Sequence, residues 1–260
     1  MKLILTLLAV VVFAHHSLGG MVSYLRFEEN GGTIAYDETG LMDGEMLGIW
    51  GGSEGWSTDV PSSTVPQTGE ANTSSIRFGG GSEYIDLSNY NDLLLGYSFT
   101  VEMFIKPETP NISVLFGFSP GASLGLLISE SLGDYYFNLN FMGDMPYALA
   151  TGLKIDEWQH LALVKEPGEY SIYLDGVQVA HETLASSTDG PYDFSGDGII
   201  GSRTLGGPTG TWYGWIDEFR ISDEALLPSQ FLNASIPEPG TLGLLSLGAI
   251  LLAIRKRTRV

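Results

Sequence analysis

Apolar and polar residues alternate one for one through the middle of the chain. In residues 98–106, Phe99, Val101, Met103 and Ile105 share one face, Ser98, Thr100, Glu102 and Lys106 take the other, and Phe104 is the exception. Successive side chains of a strand point to opposite faces, so this pattern predicts a half-buried β-strand. In residues 158–165, Trp158, His160, Ala162 and Val164 lie on one side while Leu161 and Leu163 lie on the other. Apolar residues on both faces predict a central strand covered by two layers. Tyr170, Ile172 and Leu174 then alternate into Asp175-Gly176, and Val177 and Val179 alternate out. Asp-Gly between two such runs predicts a tight hairpin, because its turn needs positive φ at both central residues. Further strands are expected at residues 22–27, 75–78, 84–87, 113–118, 124–129, 135–141, 199–202 and 212–221, with Gly, Ser, Asp and Pro between them. No long helical pattern precedes residue 223, and one short helix is expected at 228–232 with Pro228 in its first turn. A dozen or so short strands without intervening helices predict an all-β fold of two antiparallel sheets packed face to face. The Gly-, Ser- and Pro-rich stretch 51–74 reads as a long surface loop or insertion.

The two ends follow other rules. Met1-Lys2, the apolar run from Leu3 to Phe13 broken only by Thr6, and the small-residue stretch Ser17-Leu18-Gly19-Gly20 have the three parts of a secretory signal peptide, with cleavage expected after Gly19. At the other end Pro237-Glu238-Pro239 precedes the apolar segment 240–254 and a basic tail, Arg255-Lys256-Arg257-Thr258-Arg259. A helix over 240–254 would cover about 22 Å, short of a hydrocarbon core of about 30 Å, and basic residues after it stay on the cytoplasmic side. This three-part tail resembles the PEP-CTERM sorting signal of Gram-negative bacteria that make exopolysaccharide. The resemblance implies that an exosortase reads the Pro-Glu-Pro motif after transient membrane insertion, and that the protein ends at the cell surface or in the extracellular matrix. A retained single-pass anchor is the alternative. The chain therefore divides into a signal peptide (1–19), a folded domain (20–235) and a sorting tail (236–260).

Composition narrows the chemistry. Zero Cys excludes disulfides, thiolate metal sites and Cys nucleophiles. The net charge of the whole chain is −19. Between the two end segments, seven basic residues face thirty acidic ones, a net charge of −23. Such a field repels phosphate backbones, which excludes nucleic acid as a partner, and attracts divalent cations.

No catalytic set emerges. Gly117-Phe118-Ser119-Pro120-Gly121 has the spacing of a hydrolase nucleophile elbow, but Pro120 lacks the N–H that such a turn must supply to an oxyanion. Only His160 and His181 lie in the folded domain, and His160 sits in an alternating apolar pattern that predicts a packed imidazole. Retaining glycosidases need two carboxyl groups about 5 Å apart. Asp217 and Glu218 are adjacent and so are expected on opposite faces of a strand, which is wrong for a cooperating pair.

Four segments in order, 98–106, 158–164, 173–176 and Gly214-Trp215-Ile216-Asp217-Glu218-Phe219-Arg220-Ile221, resemble the laminin-G, concanavalin A-like jelly roll, of the LamG_3 type, over about residues 22–232. The resemblance implies a jelly-roll sandwich, a superfold that hosts lectins, adhesion modules, pentraxin-like binders and glycosidases. Binding is the expected activity, with an extracellular polysaccharide or surface glycan as partner. The runner-up is an adhesive surface protein that recognises another protein, and the third reading is a carbohydrate-active enzyme. Ca²⁺ is the expected ion, since acidic loops supply its hard oxygen ligands. Composition points to Asp189, Asp193 and Asp197 in one Gly-rich turn, and to Asp37 with Asp43 after the first strand. The resemblance adds weight to Asp37 and Asp217, as an early loop and the last strand. Aromatic side chains in loops are the expected glycan contacts: Trp50 and Trp56, with Tyr192, Trp212 and Tyr213. Trp158 and Trp215 are assigned to the core by alternation. Asn72, Asn111 and Asn233 begin glycosylation sequons, which carry no expectation in a bacterium.

Overall fold

The computed structural model describes residues 20–48, 54–87, 94–109, 113–119, 124–141, 147–185, 189–193, 197–202 and 210–235. In chain order the strands are β1 (Met21–Leu25), β2 (Ile34–Ala35), β3 (Gly44–Leu47), β4 (Gly55–Ser57), β5 (Ser75–Gly79), β6 (Tyr84–Asp86), β7 (Leu94–Leu95), β8 (Phe99–Pro107) and β9 (Ser113–Ser119). They continue as β10 (Leu124–Ser131), β11 (Asp134–Phe141), β12 (Tyr147–Leu149), β13 (Gln159–Glu166), β14 (Glu169–Leu174), β15 (Val177–Thr183), β16 (Tyr192–Asp193), β17 (Asp197–Ile200) and β18 (Tyr213–Ser222). The helix expected near residue 228 is a single 3-10 turn, Pro228–Gln230, in which the Gln230 side chain accepts from the Leu227 N–H.

Two antiparallel sheets form the domain. The first runs β15-β14-β13-β8-β18-β5-β4, with β1 also paired to β18, and the second runs β12-β11-β10-β9-β17-β6-β3-β2. A short β16–β7 ladder stands apart. Alternation explains the layering: Phe99, Val101, Met103, Ile105, Leu161 and Leu163 from the first sheet meet Phe116, Leu126, Ile128, Phe137 and Leu139 from the second in one buried cluster. Phe219 of β18 and Phe116 of β9 meet edge to face across the interface, 6.0 Å between ring centres. Asp175 and Gly176 both have positive φ, 51° and 77°, as the expected β14–β15 hairpin requires.

The other face of the first sheet is closed as well. His160, Ala162 and Val164 of β13 look away from the main core, and Leu226 and Phe231 of the C-terminal segment cover them. Apolar residues on both faces of β13 thus reflect two different covers: the second sheet and the chain's own end. The stretch expected to be a surface loop, 51–74, instead contributes β4 to the edge of the first sheet and buries Val65 beside Tyr24, Phe104 and Leu232. Six strands of two to four residues, β2, β3, β4, β7, β12 and β16, escape prediction because a period of two cannot show itself over so few positions.

Candidate functional site

Along β10 and β11 one alternate set of residues enters the core and the other faces away from it. The ladder pairs Leu127 with Asn138, Ser129 with Tyr136 and Ser131 with Asp134 on this outward side. There Ser129, Ser131, Tyr136 and Asn138 line an open concavity of about 350 Å³. Asn138 Nδ2 donates to Ser129 Oγ at 2.6 Å, which ties the amide of one strand to the hydroxyl of the next. One aromatic ring, one amide and two hydroxyls on paired strands offer stacking and directional hydrogen bonds from a rigid platform. These four lining residues supply neither a carboxylate pair nor a nucleophile with a base.

A second polar cluster forms where β18 changes partner. β18 pairs with β5 over Tyr213–Ile216 and with β1 from Phe219 onward, both on the side opposite β8. Between the two pairings the register slips and Glu218 takes φ 53°, a bulge that re-aims side chains. Asp217 and Glu218 are both fully buried there, and each feels the charge of the other or of Glu28. The expectation that they simply oppose one another across a regular strand fails because the strand is not regular at this point. Burial pushes the Glu218 carboxyl up to about 7 despite hydrogen bonds from Tyr24 and from Arg26, whose Nη2 lies 3.2 Å away. Burial and Glu218 push Asp217 well above the usual carboxylate range, against the Asn72 amide, which donates to Asp217 Oδ2 at 2.8 Å. Asp217 Oδ1 and Asn72 Oδ1 are buried without a partner among the described residues. Glu28 braces the neighbouring loop by accepting from the N–H groups of Thr73 and Ser74.

A further buried charge cluster joins β8, β13 and β18. Glu102 accepts from Arg220 Nε at 2.7 Å and Nη2, from the Leu232 N–H at 2.9 Å, and meets His160 Nε2 at 2.7 Å. Burial pushes Glu102 up, yet Arg220, His160 and the Leu232 N–H together hold it below its ordinary value. The imidazole expected to be packed is therefore packed, with an ionic partner.

Several expected site residues lie elsewhere than anticipated. Tyr192 and Trp212 are buried in the main core, Tyr192 edge to face with Phe99 at 5.3 Å, so neither ring is available to a ligand. Trp212 follows the Gly201 carbonyl inward through its own N–H. Trp56 is half-buried against the core, with Nε1 donating to the Gly32 carbonyl, and so pins its own segment. Tyr213 stays partly exposed, 5.8 Å from the Arg77 guanidinium. Trp215, assigned to the core, instead sits on the outward side of the first sheet, while Trp158 is partly buried there against the smaller apolar cluster of Tyr24, Val65, Phe104 and Leu232. Trp215 stacks under Lys106 and Arg77, 4.7 and 5.1 Å from its ring, and Trp158 donates to Asp59.

Asp37 does not present oxygens to an ion: its carboxylate accepts from the N–H groups of Tyr24, Thr39, Leu41 and Met42 and from the Thr39 hydroxyl. Asp43 in turn accepts from the Asp37 N–H. Asp189 pairs with Lys165 at 2.7 Å. Asp193 and Asp197 belong to different ladders, β16–β7 and β17–β9, so the single curled turn expected from composition is divided between two strands. Among the described residues no three His, Asp or Glu side chains are grouped to hold a metal ion. Gly19, Trp50, Pro237, Glu238, Pro239 and the apolar segment 240–254 lie outside the described residues, as do the signal peptide and tail that contain them. Ser119 closes β9 opposite Asp197 in a sheet ladder, not on a strand-to-helix turn.

Sequence reasoning missed the β10–β11 face and Asn72. The former was visible as Leu127-x-Ser129-x-Ser131 and Tyr136-x-Asn138, a polar outward register on strands already predicted. The latter was hidden by a glycosylation motif.

Comparison with known proteins places these features. Residues 79–230 match the model of the concanavalin A-like lectin/glucanases superfamily, and residues 235–257 match the PEP-CTERM protein-sorting motif. The structure is similar to domain 4 of an extracellular GH43 arabinanase from Geobacillus stearothermophilus, solved in complex with arabinotriose. The TM-score is 0.58 and the identity 21%, covering 82% of this chain and 96% of that one. It is similar also to a mutant of Trypanosoma rangeli sialidase displaying trans-sialidase activity, with a TM-score of 0.54 and 16% identity over 84% of this chain and 34% of that one. The T. rangeli sialidase in complex with sialic acid gives 0.53 and 15% over 81% and 32%. The chain thus spans about a third of the sialidase, and at these identities the likenesses are of fold. No curated protein matches the sequence.

Proposed function

The chain belongs to the concanavalin A-like lectin/glucanase superfamily and carries a PEP-CTERM sorting motif, and from that premise we propose an exported surface protein that binds glycan without cleaving it, through the outward face of β10 and β11. The observation that carries this reading is the open concavity lined by Ser129, Ser131, Tyr136 and Asn138. Sugars are recognised by rings that cover their apolar faces and by fixed hydroxyl and amide groups that read their hydroxyls. Paired strands hold those groups still, which limits the ordering cost of binding. The arabinotriose complex of the similar arabinanase domain supports sugar as the ligand class. The sorting motif supplies the route: export, exosortase processing of the tail, and residence at the surface or in the exopolysaccharide matrix of a Gram-negative-type bacterium.

Ca²⁺ belongs to this reading as a structural ion. What supports an ion is one place among the described residues: Asn72 Nδ2 donates to Asp217 Oδ2, the Oδ1 atoms of both residues are buried without a described partner, and Glu28 adds negative charge nearby. An ion held by Asp217 and Asn72 would supply the positive charge that this buried carboxyl lacks, and would lock the segments before and after the β18 bulge together. Asp37, with its oxygens already taken by backbone N–H groups, has no part in it.

Glycan-array binding by the wild type and by Tyr136→Ala tests the function. Loss of the ring should weaken binding about five- to tenfold, or about 1 kcal/mol or more. Equal binding by both proteins moves the site away from β10–β11, and no binding by the wild type ends the glycan reading. Thermal melting with Ca²⁺ and with chelator tests the ion: the wild type should melt higher with Ca²⁺, Asp217→Asn should not, and no shift in the wild type removes the ion.

A further inference from the structure

The two sheets differ in charge as sharply as in cover. Arg77, Lys106, Lys165 and Arg220 are all in strands of the first sheet, and Arg26 follows β1 directly. The eight strands of the second sheet contain Glu45, Asp86, Glu130, Asp134 and Asp197 and neither Lys nor Arg. The described cations outside that sheet are all engaged. Arg26 pairs with Glu70 and Glu218, Arg77 with Glu54 and Glu108, Lys106 with Asp59, Lys154 with Glu157, Lys165 with Asp189, and Arg220 with Glu102. None of these positive charges is in the sheet that holds the concavity. The described lining residues are uncharged, and Glu130 and Asp134 stand exposed at the hairpin end of the same two strands, Asp134 directly opposite Ser131.

A carboxylated sugar needs a cation or a forked donor at its carboxylate, which arginine provides best. Here it would meet hydroxyls, an amide and a ring, flanked by carboxylates within about a Debye length at physiological salt, and its own charge would be repelled. A neutral sugar has no such cost, because Ser129, Ser131, Tyr136 and Asn138 can read hydroxyls without compensating charge. Resting on the glycan-binding reading above, we infer that this concavity selects neutral glycans, pentose or hexose polymers, and excludes uronate-bearing and sialylated ones. Selection against anions then comes from an entire sheet emptied of Lys and Arg, a feature of the chain's charge distribution and not of one contact.

Affinity electrophoresis of the full chain, in a detergent without a sugar headgroup, compares neutral arabinan, xylan and glucan with polygalacturonate and alginate at low ionic strength. Retardation by at least one neutral polymer and by neither polyuronate is expected. A polyuronate retarding the protein as strongly as any neutral polymer overturns the inference while leaving glycan binding intact. No retardation by any of the polymers overturns the glycan reading and this inference with it. A charge-reversed variant, Glu130→Lys with Asp134→Lys, changes two exposed positions and leaves the lining untouched. Its affinity for polygalacturonate should rise about tenfold at low salt and fall back as salt is added, with neutral binding held within about twofold. Reversal without any gain for the polyuronate would refute charge as the selecting device.

Discussion

Replacing Glu102 by Gln removes one negative charge from a place with no water to compensate it. Glu102 and His160 are fully buried and Arg220 is 1% exposed, and the carboxylate is the common acceptor for the guanidinium, the imidazole and the Leu232 N–H. The amide keeps the shape of the carboxylate and leaves one oxygen for Arg220, but it turns the position that accepts from the Leu232 N–H and meets His160 Nε2 into a donor, and Arg220 keeps only neutral acceptors, this oxygen and the Gln230 carbonyl at 2.9 Å. Breaking a buried ion pair from one side costs about 3–5 kcal/mol. For a domain of this size about 2–4 °C of Tm accompany each kcal/mol, so melting followed by circular dichroism should fall by roughly 6–20 °C. Adding Arg220→Met to Glu102→Gln removes the stranded cation, and the double variant should be less destabilised than the sum of the single changes by about 1.5 kcal/mol or more. The pH profile gives a second check. Because Arg220, His160 and Leu232 hold Glu102 below its unfolded value, its contribution is present above that value and is lost as pH falls through the folded one. Glu102→Gln should flatten that acid limb. A Tm within about 3 °C of wild type, with additive single changes, would refute the account.

Glu218 has the opposite sign. Its folded pKa of about 7 lies above the ordinary 4.5, so in metal-free buffer stability should decline by about 3 kcal/mol as pH rises from 4.5 through 7, and Glu218→Gln should remove most of that slope in urea titrations at stepped pH. Asp37→Ala strips an acceptor from four N–H groups and a hydroxyl around one turn, and urea denaturation should register a loss of about 2–4 kcal/mol, with Ca²⁺ unable to restore it. Trp212→Ala empties a fully buried site and should destabilise by about 3–5 kcal/mol, read by the same denaturation, with the glycan affinity of the folded fraction unchanged.

The architecture was legible where runs were long enough to show a period. β8, β13, β14, β15 and β18 carry patterns of six to ten residues, and their existence and the Asp175-Gly176 turn follow from alternation alone. The aromatic site residues were misplaced for a definite reason. Tyr192 and Trp212 flank Gly- and Asp-rich sequence, which reads as exposed, yet a ladder and a core contact draw both rings inward. Trp215 failed in the reverse direction: alternation establishes that a residue shares a face with its i+2 neighbour, but not which face another layer covers. The Asp217–Glu218 pair was beyond reach because a bulge is a tertiary event, set by β1 and β5 sharing one side of β18, and leaves no mark on the spacing.

That same arrangement separates holding the chain from holding a ligand. Residues 226–232 fold back over the outward side of the first sheet, where Leu226, Phe231 and the Leu232 N–H seal β13 and Glu102, and the sorting motif begins at residue 235. The polar concavity belongs to the outward side of the other layer. Two sheets packed about 10 Å apart thus stand between the point where the chain leaves the domain and the proposed contact face. On the proposed reading a C-terminal tether and a bound glycan would not compete for surface, and the glycan affinity of the uncleaved protein should equal that of the processed one. Equal dissociation constants for the full chain and for protein recovered after tail removal are expected, and a several-fold difference would place the C-terminal segment on the ligand's side of the domain.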